Sequence, residues 1–439
     1  QAQQPMGCLH RFSKTIKVVI IGLLILLLMI PMFMIENLIS ERGRTQEEAI
    51  DEVSEKWSLA QTITGPYLNL QYPVVTENNG EKKVSIKDLI LFPDELMVNG
   101  QLKTEILKRS IYEVNVYQSE LTLKGSFSSE ELKKSRIDMD QLQFDRAAIC
   151  LNLTDMRGIS EQISITLGDS VYIFEPGMDN RGIANTGVHA IANLSELKQN
   201  KKLPYEIKIK LKGSQSLNFI PLGKTTRVDL KANWNTPSFT GNYLPNNRNI
   251  TEKEFSAQWQ VLNLNRNYSQ VMADYNTSNI KDIENSSFGV NFKIPVEQYQ
   301  QSMRSAKYAI LIILLTFGVI FFTEIMNKTR IHALQYLLVG LALCLFYSLL
   351  LSFSEHIGFN PAYLLSSALT IILVGGYMFG ITKKKKPSLI MSGLLGILYL
   401  YIFVLIQLET FALLAGSLGL FIILAMVMYF SKKIDWFNE

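Results

Sequence analysis

Ser354-Glu355-His356 is where this sequence sets a carboxylate beside an imidazole with a hydroxyl next to them. Such a trio can relay a proton or orient a ligand, because histidine changes charge near neutral pH and a carboxylate fixes its tautomer. A polar helix end is the competing reading, with Glu355 or Ser354 closing a helix before Gly358 and Pro361 turn the chain back. Other chemistry is scarce. There is no HExxH, no GxSxG, no GxxxxGK[ST] and no GxGxxG after a strand. The cysteines (Cys8, Cys150, Cys344) and histidines (His10, His189, His332, His356) are scattered. No zinc-site spacing results, and no cofactor or metal is expected. Glu324, Gln407 and Glu409 stand at the ends of apolar stretches, where polar groups stay hydrated, and they read as interfacial anchors. No acid falls at the middle of a stretch, which argues against a proton-driven transporter.

The elements that must position these residues belong to two kinds of chain. Among 439 residues the net charge is only +4, so nucleic-acid binding is not indicated. From Ala306 to Phe430, however, only ten side chains are charged, which argues against a purely soluble enzyme. Six stretches are long enough for about 30 Å of hydrocarbon: 18–35, 308–322, 334–352, 362–381, 389–406 and 411–430. The first leads straight into Glu36 with no small-residue cleavage site, so it reads as an uncleaved anchor rather than a signal peptide. Basic residues precede the first stretch (Arg11, Lys14, Lys17) and follow the second, fourth and sixth (Lys328 and Arg330, Lys383–Lys386, Lys432 and Lys433). The loops after the third and fifth hold only Glu355 and Glu409. The positive-inside rule then predicts six spans with both termini in the cytoplasm. The expected organisation is 1–17 cytoplasmic, 18–35 the first span, 36–64 a helical stalk, 65–304 a β-rich periplasmic domain, 305–430 five membrane helices, and 431–439 cytoplasmic.

Within the polar region, Tyr205-Glu-Ile-Lys-Ile-Lys-Leu-Lys212 alternates without a break, the pattern of a strand with one buried and one wet face. Similar runs occupy 111–123, 162–167, 171–174, 226–234, 255–264 and 288–295. Asn79-Gly80, Asn99-Gly100 and Pro176-Gly177 read as turns. The predicted fold class is membrane α-helical plus a large all-β or β-rich extracytoplasmic domain, antiparallel and sandwich-like.

The sequence resembles the bacterial CreD inner-membrane proteins. The stretches that carry the resemblance are LQYLLVGLALCLFYSLLLSFSEHIGF (334–359), AKYAIL (306–311), KIDWF (433–437), NWNTPSFTGNYLP (233–245), FSAQW (255–259), PVEQYQ (295–300) and MRGI (156–159). The resemblance implies a cell-envelope integrity protein of the inner membrane, linked to a two-component sensory system, to colicin tolerance and to β-lactam response. It brings no enzymatic activity and no mechanism. Arg157, Trp234, Phe239, Ser354, Glu355, His356, Asp435 and Trp436 become candidate functional residues, with turn and core roles competing for the aromatic ones. Expected partners are the lipid bilayer and, on the periplasmic side, an envelope protein or a peptidoglycan or lipid component. The rival readings are a transporter or lipid-handling protein using the five C-terminal helices, and an enzyme using Glu355 and His356.

Overall fold

The computed structural model describes the chain except residues 1–12, 79–80, 136, 179–182, 200, 274–276, 293–296, 328–329, 409–411 and 433–439. It divides into two compact units, residues 48–294 and residues 1–47 with 295–439.

The first unit is β-rich. Its long early strands are β1 (Gln61–Asn78), β2 (Glu81–Leu91), β3 (Glu95–Arg109) and β4 (Tyr112–Phe127). Then come β5 (Ala147–Leu153), β6 (Ser164–Leu167), β7 (Ser170–Ile173), β8 (Glu175–Pro176) and β9 (Gly187–Ala192). β10 (Leu203–Ser214), β11 (Ser216–Phe219), β12 (Thr225–Ala232) and β13 (Ser238–Gly241) follow. The last are β14 (Asn247–Ile250), β15 (Phe255–Leu262), β16 (Val271–Ala273) and β17 (Phe288–Asn291).

These strands form two sheets. Sheet A has nine, in the order β13-β17-β11-β1-β5-β9-β8, with β2 beside β1 and β16 beside β2. Sheet B has eight, in the order β14-β15-β12-β3-β4-β10-β6-β7. One apolar core draws on both, including Leu68, Ile149 and Phe288 from sheet A and Val98, Leu123, Ile207 and Trp259 from sheet B. A second, smaller core covers the other face of sheet A, where Tyr67, Ile90 and Cys150 meet Met178, Ile183 and Ile283.

The pairing is mixed, not antiparallel throughout: β1 runs parallel to β11, and β3 runs parallel to β12. The cause is a change of sheet. Gln215, with φ +60°, separates β10 of sheet B from β11 of sheet A. The chain then returns to sheet B as β12, so neither arrival is a hairpin. Asn99-Gly100 also departs from expectation, because it lies inside β3 and makes no turn. Gly100 faces inward, where a β-carbon would sit 2.6 Å from a Leu230 methyl and 2.7 Å from a Leu121 methyl. The glycine serves packing.

In the second unit, α1 (Ser13–Trp57) contributes its first part and continues unbroken into the β unit. The stretch 36–64 is thus helical only to Trp57, and residues 61–64 already belong to β1. Short helices α2 (Glu130–Lys134), α3 (Ser195–Lys198) and α4 (Thr277–Asn285) decorate the β unit. After it come α5 (Glu297–Lys307), α6 (Ala309–Asn327), α7 (Ala333–Ile357), α8 (Phe359–Thr382), α9 (Lys385–Gln407) and α10 (Ala412–Ser431). Residues 297–304, expected in the β domain, are helix instead, and α5 packs on α6, α7, α8 and α9. Its polar sequence hides one buried face, Tyr299, Ser302, Ser305 and Ala306. Among the described residues five helices are long and apolar enough to cross a membrane: α1 and α6 to α9. α10 adds a shorter described apolar stretch, Leu414–Ala425.

Candidate functional site

The SEH trio is split by the helix that carries it. α7 ends at Ile357, with Gly358 at φ +78° closing it through its N–H to Ser354 O. Ser354 is buried, and its hydroxyl donates to Leu351 O of its own helix. Glu355 is held from the side: Tyr299 of α5 donates to Oε1 at 3.0 Å, and Arg42 Nε of α1 stands 3.9 Å away. His356 is exposed. Among the described residues no hydrogen bond or ion pair joins this carboxylate to the imidazole. Glu355 instead ties three helices, α1, α5 and α7.

A second carboxylate does the same elsewhere on α1. Glu324, near the end of α6, pairs with Lys17 through Oε1, which also accepts from Ile331 N at 3.3 Å. Its Oε2 accepts from Tyr336 of α7 at 3.1 Å, and Lys17 donates to Ile331 O at 3.0 Å. Twenty-five residues separate Lys17 from Arg42, about 37 Å of helix at 1.5 Å per residue. Between them Leu28, Met32, Ile35 and Ile39 are buried at helical spacing. Leu28 enters a gap in α7: a β-carbon at Gly340 would lie 2.1 Å from Leu28 Cδ1. Each end of the α1 span is thus pinned by an ion pair, with a close helix contact between.

Arg157 belongs to a polar knot where α1 ends and β1 begins. Asp155 is buried and accepts from Leu59 N at 2.9 Å, from Ser58 Oγ at 3.3 Å, and from Arg157 N and Nε, each at 3.0 Å. Arg157 also donates to Glu55 O in the last turn of α1, as a basic residue at a helix C-terminus does. Gln61 Nε2 joins in, donating to Asp155 O at 2.8 Å and to Lys212 O of β10 at 3.3 Å. Burial opposes ionisation of Asp155, but the Arg157 side chain and the Leu59 and Arg157 N–H groups outweigh it. The carboxyl is held below its ordinary range. Gly158 is needed for the close approach, since a β-carbon there would lie 2.4 Å from Lys212 O.

The aromatic candidates are structural in their contacts. Phe239 of β13 packs edge-on against Phe255 and Trp259, with ring centroids 5.8 and 5.7 Å away. Half-buried Trp234 donates its Nε1 to Thr236 O at 3.0 Å. Asp435 and Trp436 lie outside the described residues. Lys17, Arg42, Asp155, Tyr299 and Tyr336 were missed by the sequence reading. The only available signal for Lys17 and Arg42 was a cation at each end of one long helix.

A groove of about 620 Å³ lies on the wet face of sheet B. Cross-strand register builds it in rows: Gln258, Asp229, Asn99 and Thr122 stand side by side, with Lys231, Gln101 and Glu120 in the next row. The side chains of Asn99, Gln101, Thr122, Asp229 and Lys231 have no hydrogen-bond or ion-pair partner among the described residues. Carboxamide, hydroxyl, carboxylate and ammonium groups are all presented, so the groove can both donate and accept. Among the described residues no group of three or more His, Cys, Asp or Glu could hold a metal ion.

Long apolar helices, carboxylates that pin them together and a two-sheet polar unit define an integral membrane protein with a large water-facing domain. The family model described as inner membrane protein CreD matches residues 13–437. The chain belongs to that family. It is 32% identical over 420 residues to the inner membrane protein CreD of Escherichia coli (strain K12), covering 94% of this chain and 91% of that one.

Proposed function

We propose that this is a non-enzymatic inner-membrane protein that supports cell-envelope integrity under stress, with its β unit on the periplasmic side binding a glycan-bearing envelope component. The observation that carries the reading is the groove of sheet B. Unengaged amide, hydroxyl and carboxylate groups in register suit the hydroxyls and acetamido groups of a sugar polymer. The parting of Glu355 from His356 supports the non-enzymatic part, because an acid–base pair needs both groups within reach of one reacting atom. The arrangement inferred is six spans with both termini cytoplasmic, resting on the alternation of basic and acidic short loops, and two sheets packed as a sandwich, resting on the core they share.

The test is retention of the full-length protein, reconstituted in nanodiscs, on purified peptidoglycan sacculi. Asn99→Ala with Asp229→Ala should release it, while Lys108→Ala, at the far end of β3 beside Glu113, should not. Equal retention of all three would sink the glycan reading. Reporter fusions after Lys386 and within 355–360 should report cytoplasm and periplasm respectively; the opposite pattern would overturn the topology.

A further inference from the structure

The helical unit holds a cavity of a different character. α6, α9 and α10 enclose about 360 Å³ lined by Leu314 and Phe322, by Ile397 and Leu398, and by Ile422. Leu398 is buried at its floor, whereas Leu314, Ile397 and Ile422 are exposed, so the slot opens on the outer surface of the helices. Gly318 lines it too, and a β-carbon there would meet nothing within 4 Å. One side chain with a polar atom takes part, Tyr401, and its hydroxyl already donates to Ala415 O at 2.8 Å. Gly419 makes that crossing of Tyr401 over α10 feasible, since a β-carbon would collide with the ring.

What fills the slot follows from the solvent around it. α6 and α9 are long and apolar enough to cross the membrane, so acyl chains bathe their outer surfaces. Water gains nothing from a wall without free donors or acceptors, and neither does a lipid headgroup. A second transmembrane helix packs on small residues in line along one helix. On α10 Ala415 and Gly419 are in line but already covered by Tyr401, and Gly318 of α6 has Leu314 and Phe322 four places to either side. We propose that this slot holds one acyl chain of a membrane phospholipid, seated between α6, α9 and α10. Retention rests on dispersion contacts with the walls, because transfer from one apolar surrounding to another gains no hydrophobic free energy. The site is independent of the glycan groove and of its proposed ligand.

The experiment uses the full-length protein in nanodiscs containing phosphatidylethanolamine with a diazirine in mid-chain, with labelled residues mapped by peptide mass spectrometry. Label should concentrate on slot residues by roughly ten-fold over exposed Leu369 and Ile372 of α8, the ratio that about 1.4 kcal/mol of packing preference gives. Gly318→Phe fills the slot from α6, and Ile397→Trp closes its mouth from an exposed position. Each should bring labelling down to the α8 level, and Leu373→Phe should leave it unchanged. Even labelling of all exposed faces, enrichment that survives both fillers, adducts between two copies of the chain, or equal enrichment from a headgroup-borne diazirine would each overturn the proposal.

Discussion

The two sheets of the β unit contain the same kinds of residue in different surroundings. In sheet A, β5 is buried at all seven positions, with Ile149 facing the large core and Cys150 facing the small one. In sheet B, β10 buries Tyr205, Ile207 and Ile209 in the core while Lys208 and Lys210 stay in water. The difference teaches where parity matters. A strand with two dry faces is intolerant at every position, and a strand with one wet face is intolerant at every second one.

The sharpest way to break this comparison is to place a charge on successive residues. Ile149→Asp and Cys150→Asp should both destabilise by several kcal/mol, about 3–5 each, because an unpaired buried charge has no relief on either side. Lys208→Asp should leave stability nearly unchanged. Urea unfolding of the full chain, followed by tryptophan fluorescence, measures all three, and a tolerated Cys150→Asp would refute the two-dry-faces reading. Phe288→Ala, in the aromatic group with Trp259 and Tyr243, should cost about 3–5 kcal/mol in the same assay, as a buried aromatic truncation does.

A smaller effect is expected at the knot that joins the sheets. Asp155→Asn removes acceptor charge from Arg157 and from two backbone N–H groups, for a loss of about 1–3 kcal/mol. The sign with pH follows from its lowered titration. The wild-type contribution is complete above about pH 4, the ordinary aspartate range, and is lost as pH falls through the folded-state value below it. The variant should lack that acid-side fall, and an unchanged profile would remove Asp155 from its role. The smallest effect is Lys208→Ala, within about 0.5 kcal/mol of wild type, as for other exposed positions.

The same contrast governs what was legible beforehand. Sheet B could be read because alternation survives only where one face is wet: 205–212 lies inside β10 and 255–262 inside β15. β5 left no such trace, since Ala-Ala-Ile-Cys-Leu-Asn-Leu carries no alternation to detect. β11 and β12 misled the pairing because a change of sheet at one residue has no composition signal. α5 reads in the sequence as the end of the polar domain because, among its described side chains, only Tyr299, Ser302, Ser305 and Ala306 turn inward. For the site, Glu355 and His356 were found by adjacency, which a helix converts into different directions. Tyr299 and Arg42 come from distant elements, and spacing along the chain does not announce them.

The close approach at Gly340 ties two positions into one quantity. Because Leu28 fills the space a side chain at 340 would need, the volumes at 28 and 340 add to a fixed allowance. Substitutions there should come as exchanges: a lineage carrying alanine at 340 would carry a smaller or re-oriented residue at 28. Residues 312 positions apart should therefore vary as a pair, and a record of their joint variation would be a ruler for the α1–α7 contact that requires no structure to read.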